Sequence, residues 1–209
     1  MELKNLTVAE FSALTASDAP APGGGSVSAL VGNLSSALAT MVANLTIGRE
    51  KYADSQDEMK WILSELPEIS DALLLAVDED SRAFDSYMAA LALPKATDEE
   101  RATRSAAMQE GLKAASKVPL RVAQTACRLF AYLKAALTLG NKNAVTDAMV
   151  GVMLARTCAL GAIFNVRVNL SSIRDEAFVA ELSAECDRLQ QFAMQEEARL
   201  LSEISLSGI

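Results

Sequence analysis

The sequence predicts an all-α fold, a single-domain helical bundle of long antiparallel and crossing helices, and three observations carry that expectation. Alanine and leucine supply 37 and 28 of the 209 residues, and both cost little in a helix. Only 5 prolines and 10 glycines interrupt the chain. No segment shows the period-two, β-branched alternation of a half-buried strand. The length suits one domain over residues 1–209, with enough chain to bury a core.

Thr7 with Glu10 reads as a capping box that opens a short helix ending near Ser17. Residues 18–25 (DAPAPGGG) form the most loop-like segment, and Ser26 begins an Ala, Leu and Val run to about Ile47. Over residues 54–93 apolar positions recur at helical spacing, with Pro67 as a kink or a boundary and Pro94 as the stop. A second capping box, Thr97 with Glu100, starts a helix toward Ala115, and Ser116 and Pro119 restart one to Leu139. The GNKN turn at residues 140–143 calls for left-handed-tolerant residues. A small-residue helix then reaches about Leu170, and residues 172–205 close the chain as one amphipathic helix.

Composition excludes several chemistries. With no histidine, neither Ser-His or Cys-His nucleophile systems nor His-based zinc sites can form, so no metal is expected and catalysis must use carboxylates, amides, lysine or backbone. Cys127, Cys158 and Cys186 show no C-x-x-C spacing and are expected as reduced, buried small hydrophobes in a cytoplasmic protein. A net charge of −8 argues against a nucleic-acid partner. The composition and the N-terminus suggest neither a membrane span nor a signal peptide.

Polar residues inside apolar stripes mark the candidate site. Asp80 continues the stripe of Leu73, Ala76 and Val77 toward Ala83, Phe84, Tyr87 and Leu91, whereas Asp78, Glu79 and Asp85 fall mostly off it and look solvated. A carboxylate held there is a candidate acid–base group; equally, it could cap a neighbouring helix or pair with a core arginine. Asp147, Gly151, Leu154, Cys158, Gly161, Asn165 and Asn169 share one helix face, polar at its ends and small between. That face suits a planar heterocycle, or a tightly packed buried helix. The PGGGS segment, Gly23, Gly24, Gly25 and Ser26 before a long helix, suits an anion or a plain flexible turn. Arg49 and Lys95 follow helix ends, where they could meet an anion or cap carbonyls.

Taken in order, APGGGSV (21–27), DSRAFDSYMAALALPK (80–95), residues 104–120 around VPL, GNKNAVTD (140–147) and GAIFNVRVNL (161–170) resemble the cyclodeaminase/cyclohydrolase family of folate enzymes. The resemblance implies an all-helical homodimer that binds a tetrahydrofolate derivative as substrate, with no further cofactor. It implies a catalytic role for Asp80, at the aspartate of the D-x-x-A-F segment, and places the aspartate of the GN-turn helix on Asp147. Asn141, Asn165 and Asn169 are implied in substrate binding, with Arg49, Lys95 and the Gly23, Gly24 and Gly25 amides toward the glutamate tail. The leading expectation is a methenyltetrahydrofolate cyclohydrolase, since the chain carries no formiminotransferase half. The alternatives are a formiminotetrahydrofolate cyclodeaminase served by a separate formiminotransferase, and a non-catalytic folate-binding helical dimer.

Overall fold

A computed structural model describes residues 2–203. Among these there is no strand, and six α-helices follow one another: α1 (Val8–Thr15), α2 (Gly24–Thr46), α3 (Gln56–Leu91), α4 (Asp98–Leu139), α5 (Val145–Leu170) and α6 (Glu176–Ser202). Short 3-10 turns at Leu3–Asn5, Glu50–Ser55 and Lys142–Ala144 fill the joints. Both capping boxes form, Thr7 with Glu10 and Thr97 with Glu100. The last helix opens on Asp175, whose side chain accepts from the Phe178 N–H, and the expected extension to Ser205 lies outside the described residues.

Helices α2, α3, α4 and α5 close a ring in which each packs against the next, and α6 lies against α4 and α5. The contacts fix antiparallel neighbours. Asn33 on α2 donates to Ser70 on α3, while the hydroxyl of Ser26, two turns earlier, lies 2.9 Å from the Val77 carbonyl. Small residues bring α2 and α5 together. A Cβ at Gly151 would strike Leu133 on α4 and approach Leu38 of α2, one at Gly32 would meet the Cys158 sulfur at 2.6 Å, and one at Gly161 would collide with the Ser28 hydroxyl. Inside the ring, Met59, Ile62, Leu66 and Leu73 of α3 meet Leu129, Phe130, Leu133 and Leu137 of α4, all fully buried.

Two expected interruptions are absent. Pro67 lies within a continuous α3 and Pro119 within a continuous α4, so neither is a helix boundary. Pro67 is itself exposed, but Leu66 and Ile69 beside it are buried, and Pro119 is buried together with Ser116 and Val122, so the packing of these helix faces outweighs a lost backbone bond. The GNKN turn also differs: Gly140 has φ −76° and Asn141 φ −58°, so no left-handed residue is used there. Gly140 is required by space, because a Cβ would run into Val42 and the Ala136 carbonyl. Only Gly48, at φ 73°, takes a left-handed conformation among the described residues.

Asp78 corrects another expectation. It is buried, and its carboxylate accepts from the Leu3 N–H at 2.5 Å and the Lys4 N–H at 3.5 Å, because the N-terminal turn folds back over α3. Two helical runs, Gly24–Thr46 and Lys142–Leu170, are long and apolar enough to cross a membrane by composition; each buries about half of its apolar window inside the bundle.

Candidate active site

Asp80 lies three turns before the end of α3, opposite the first turn of α2. Its Oδ2 accepts from the Ser26 hydroxyl at 3.2 Å, and that hydroxyl also lies 2.9 Å from the Val77 carbonyl. The carboxylate is packed so closely on Gly25 that any Cβ there would overlap it. An anion at the start of α2 meets the positive end of the helix dipole, so Asp80 does act as a cap for a neighbouring helix. Burial nevertheless dominates and pushes its carboxyl above the ordinary carboxylate value; hydrogen bonds from the Ser26 side chain and backbone pull the other way. No arginine pairs with it among the described residues.

The same acid faces a recess of about 370 Å³ bounded by Pro20, Ala21, Gly23 and Gly24 of the loop, Ser81 and Phe84 of α3, Ala115 of α4, and Asn165, Val168 and Asn169 of α5. A cis peptide joins Ala21 to Pro22 in that loop. Asn165 is drawn in by the absence of a side chain on Gly24, whose Cβ would sit 3.1 Å from the Asn165 amide nitrogen. Each asparagine spends one N–H of its NH₂ group on a carbonyl. Asn165 donates to Gly161 at 2.8 Å, and Asn169 donates to Ala115 at 3.1 Å. Ala115 is four residues before Pro119, so Asn169 supplies the donor that the proline lacks. What the pair can still offer the recess is acceptor oxygen and the second N–H of each amide.

Wider grooves lie elsewhere but hold no comparable acid. One of about 490 Å³ is walled by the stacked Trp61 and Tyr132, whose ring centroids are 4.3 Å apart, and by Phe192. Its acid, Glu196, is held by Arg199, which keeps the carboxyl below its usual value. The thiols are also inert: burial pushes Cys127 and Cys158 up to about 12.

The structure thus gathers Gly23, Gly24, Gly25, Ser26, Asp80, Asn165 and Asn169 at one end of the bundle. Within that group Ser26 is fully buried, so it holds Asp80 in place and has no surface for a ligand. Gly25 gives Asp80 its close approach, and Asp80 is held at the start of α2 by the Ser26 side chain and backbone, while Gly23 and Gly24 line the recess. Three other candidates lie at the opposite end. Asp147 is in the first turn of α5, about 27 Å along the helix from Asn165 at ~1.5 Å per residue. Asn141 builds a turn: its N–H donates to Thr46 at 2.8 Å, its side chain donates to the Leu45 carbonyl, and it accepts from Tyr52. Arg49 is exposed beside them, after Gly48. Lys95 is exposed at the α3–α4 joint, in an adjoining groove.

Sequence reasoning placed Phe84 beside Asp80 but missed Pro20, Ser81, Ala115 and Val168 as walls. Ser81 adjoins Asp80 on α3, and Val168 is an apolar residue between two asparagines, so the helical wheel held a signal for these two.

The family model described as Formiminotransferase-cyclodeaminase matches residues 7–188. A formimidoyltransferase-cyclodeaminase of Gallus gallus is 41% identical over 182 residues, which is 87% of this chain but 34% of the bird protein, so the chain spans about a third of that relative. A methenyltetrahydrofolate cyclohydrolase of Methylorubrum extorquens is 38% identical over 88% of this chain and 89% of its own length. The crystal structure of formiminotetrahydrofolate cyclodeaminase from Thermotoga maritima superposes with a TM-score of 0.84 at 30% identity, covering 95% of this chain and 96% of that one. Fold and sequence agree, and the chain belongs to the formiminotransferase-cyclodeaminase family.

Proposed function

We propose that this protein is a folate one-carbon enzyme that adds water to the methenyl bridge of a tetrahydrofolate and releases the formyl derivative. One observation carries the reading: Asp80, a half-buried acid whose proton affinity is raised, opens onto a recess with acceptor oxygens on the facing helix. A methenyl bridge is an amidinium cation. The Asp80 carboxylate offsets that charge and takes a proton from the water that attacks the bridging carbon. The tetrahedral carbon then loses its bond to one of its two nitrogens, which takes up the proton held by Asp80, while the new hydroxyl releases its proton to solvent, and the one-carbon unit stays on the other nitrogen as a formyl group. Asn165 and Asn169 accept from the N–H edge of the pterin.

The near full-length match to the Methylorubrum cyclohydrolase supports this direction. The Thermotoga cyclodeaminase, matched over 96% of its chain, favours a second reading. In that reading N10 attacks a formimino carbon, Asp80 moves the N10 proton to the amino group, and ammonia leaves. A separate formiminotransferase would then supply the substrate. Incubating the protein with each folate and following the methenyl absorbance and ammonia separates the two, and Asp80→Asn tests both. Near-normal turnover of either folate by that variant would reject the role given to Asp80.

The working unit in this proposal is a cytoplasmic homodimer that needs no cofactor beyond its substrate. Leu34, Met41 and Leu45 of α2 and Val150, Met153, Phe164 and Val168 of α5 leave an exposed apolar face, with Phe164 at 59% and Val168 at 65%. Val168 also walls the cleft, so a second copy seated there would close one side of the recess.

A further inference from the structure

Four of the residues that wall the cleft carry polar side chains: Asp80 and Ser81 on α3, and Asn165 and Asn169 on α5. Asp80 is held by Ser26, and each asparagine gives an N–H to a carbonyl. The Ser81 hydroxyl has no hydrogen-bond partner among the described residues, although it lies beside the acid.

A serine or threonine inside a helix can turn its hydroxyl back to the carbonyl four residues earlier. Several do so here: Ser86 donates to the Arg82 carbonyl at 3.0 Å, Ser116 to Leu112 at 2.9 Å and Thr125 to Arg121 at 2.8 Å. For Ser81 that carbonyl belongs to Val77, and it is already occupied. One of its lone pairs receives the helical N–H of residue 81 in the unbroken α3, and the Ser26 hydroxyl, brought across from α2, covers the other at 2.9 Å. The contact that seats Ser26 beside Asp80 therefore also removes the usual partner of the next hydroxyl. Ser81 is half-buried in the wall of the recess and keeps both a donor and an acceptor for what enters it. Its α-carbon is about 3.8 Å from that of Asp80, so one water molecule can reach both side chains.

Resting on the hydrolytic reading above, we propose that Ser81 is a second catalytic residue, which holds the attacking water beside Asp80 and carries the last of its protons to solvent. The water donates one hydrogen to the Asp80 carboxylate and the other to the Ser81 oxygen, which aims its lone pair at the bridging carbon. As the carbon–oxygen bond forms, Asp80 takes the first proton and the electrons of the carbon–nitrogen double bond move onto nitrogen, cancelling its charge. Asp80 then returns that proton to the departing nitrogen as the carbon–nitrogen bond breaks. The hydroxyl left on the carbon passes its proton to Ser81, Ser81 gives its own to bulk water, and the electrons of the broken oxygen–hydrogen bond close the formyl carbonyl. One water is consumed and one proton is released for each formyl group. In the deaminase reading no water attacks, so this role belongs to hydrolysis.

The test uses the full chain with 5,10-methenyltetrahydrofolate. Ser81→Ala should lower kcat about tenfold to a hundredfold, the size of one hydrogen bond made in a charged transition state, with KM little changed and the helical circular dichroism retained. Ser81→Thr keeps the hydroxyl and should recover most of the rate. The acid limb of the pH–rate profile, which belongs to Asp80, should stay in place in both variants. A kcat near that of the wild type in Ser81→Ala, a threonine variant as slow as the alanine one, or an acid limb that moves with the substitution would overturn the role of Ser81 and leave the hydrolase reading standing. A wild-type protein in whose presence the methenyl absorbance decays no faster than in buffer would sink the hydrolase reading, and this role with it.

Discussion

At the scale of single residues, Asp80 carries a cost that its function explains. Burial raises its carboxyl, so the folded protein holds that proton above about pH 3.9, where the unfolded chain releases it. Native Asp80 therefore lowers stability as pH rises through the window between the two values, and the loss persists at neutral pH. Asp80→Asn should raise the melting temperature at pH 7, with the gain fading below the ordinary carboxylate range, while turnover falls by about 10²- to 10⁴-fold. A melting temperature unchanged at pH 7 would show that burial does not strain this carboxyl. Ser26 works against the burial, since its hydroxyl and backbone stabilise the charged form. Ser26→Ala should move the acid limb of the pH–rate profile to higher pH; an unmoved limb would show that the 3.2 Å contact does not tune the base.

Helices here are set by packing more than by their own sequences. Pro119 removes a donor from the middle of α4, yet the helix continues because Asn169 on α5 reaches the Ala115 carbonyl. Asn169→Ala should cost about 1 kcal/mol by leaving that half-buried carbonyl unpaired. Pro119→Ala restores a backbone N–H to the same acceptor, so in a double-mutant cycle it should recover part of the Asn169 loss; strictly additive effects would break the link. The helix wheel shows that the Asn169 side chain points inward, but not that one of its N–H groups goes to the Ala115 carbonyl while its oxygen remains for the recess. Asp78 was misread for a related reason, because its partners, the Leu3 and Lys4 N–H groups, lie 75 and 74 residues away and helical spacing carries no trace of them.

For the whole molecule, the apolar outer face of α2 and α5 predicts a self-association that governs activity. Phe164→Glu places a charge at its most exposed aromatic; if the proposed dimer forms through this face, the variant should sediment as a monomer, with loss of turnover and intact helical content. A variant that remains dimeric would place the interface elsewhere. Alanine and leucine content, two capping boxes and the scarcity of breakers made the helical class legible in the sequence alone, since those signals are local and every residue carries its own share. The sequence also singled out Asp80, because a charged side chain in an apolar stripe violates a period that can be counted along the chain. It was silent on which polar residues meet. Gly25, Asp80, Asn165 and Ala115 come from four helices and converge only through side chains that are missing or bonds that span more than fifty residues. Asp147 and Asn165 share one helix face in the sequence yet stand about 27 Å apart, since a face shows direction around the axis and only the folded bundle shows which end of it holds the cleft.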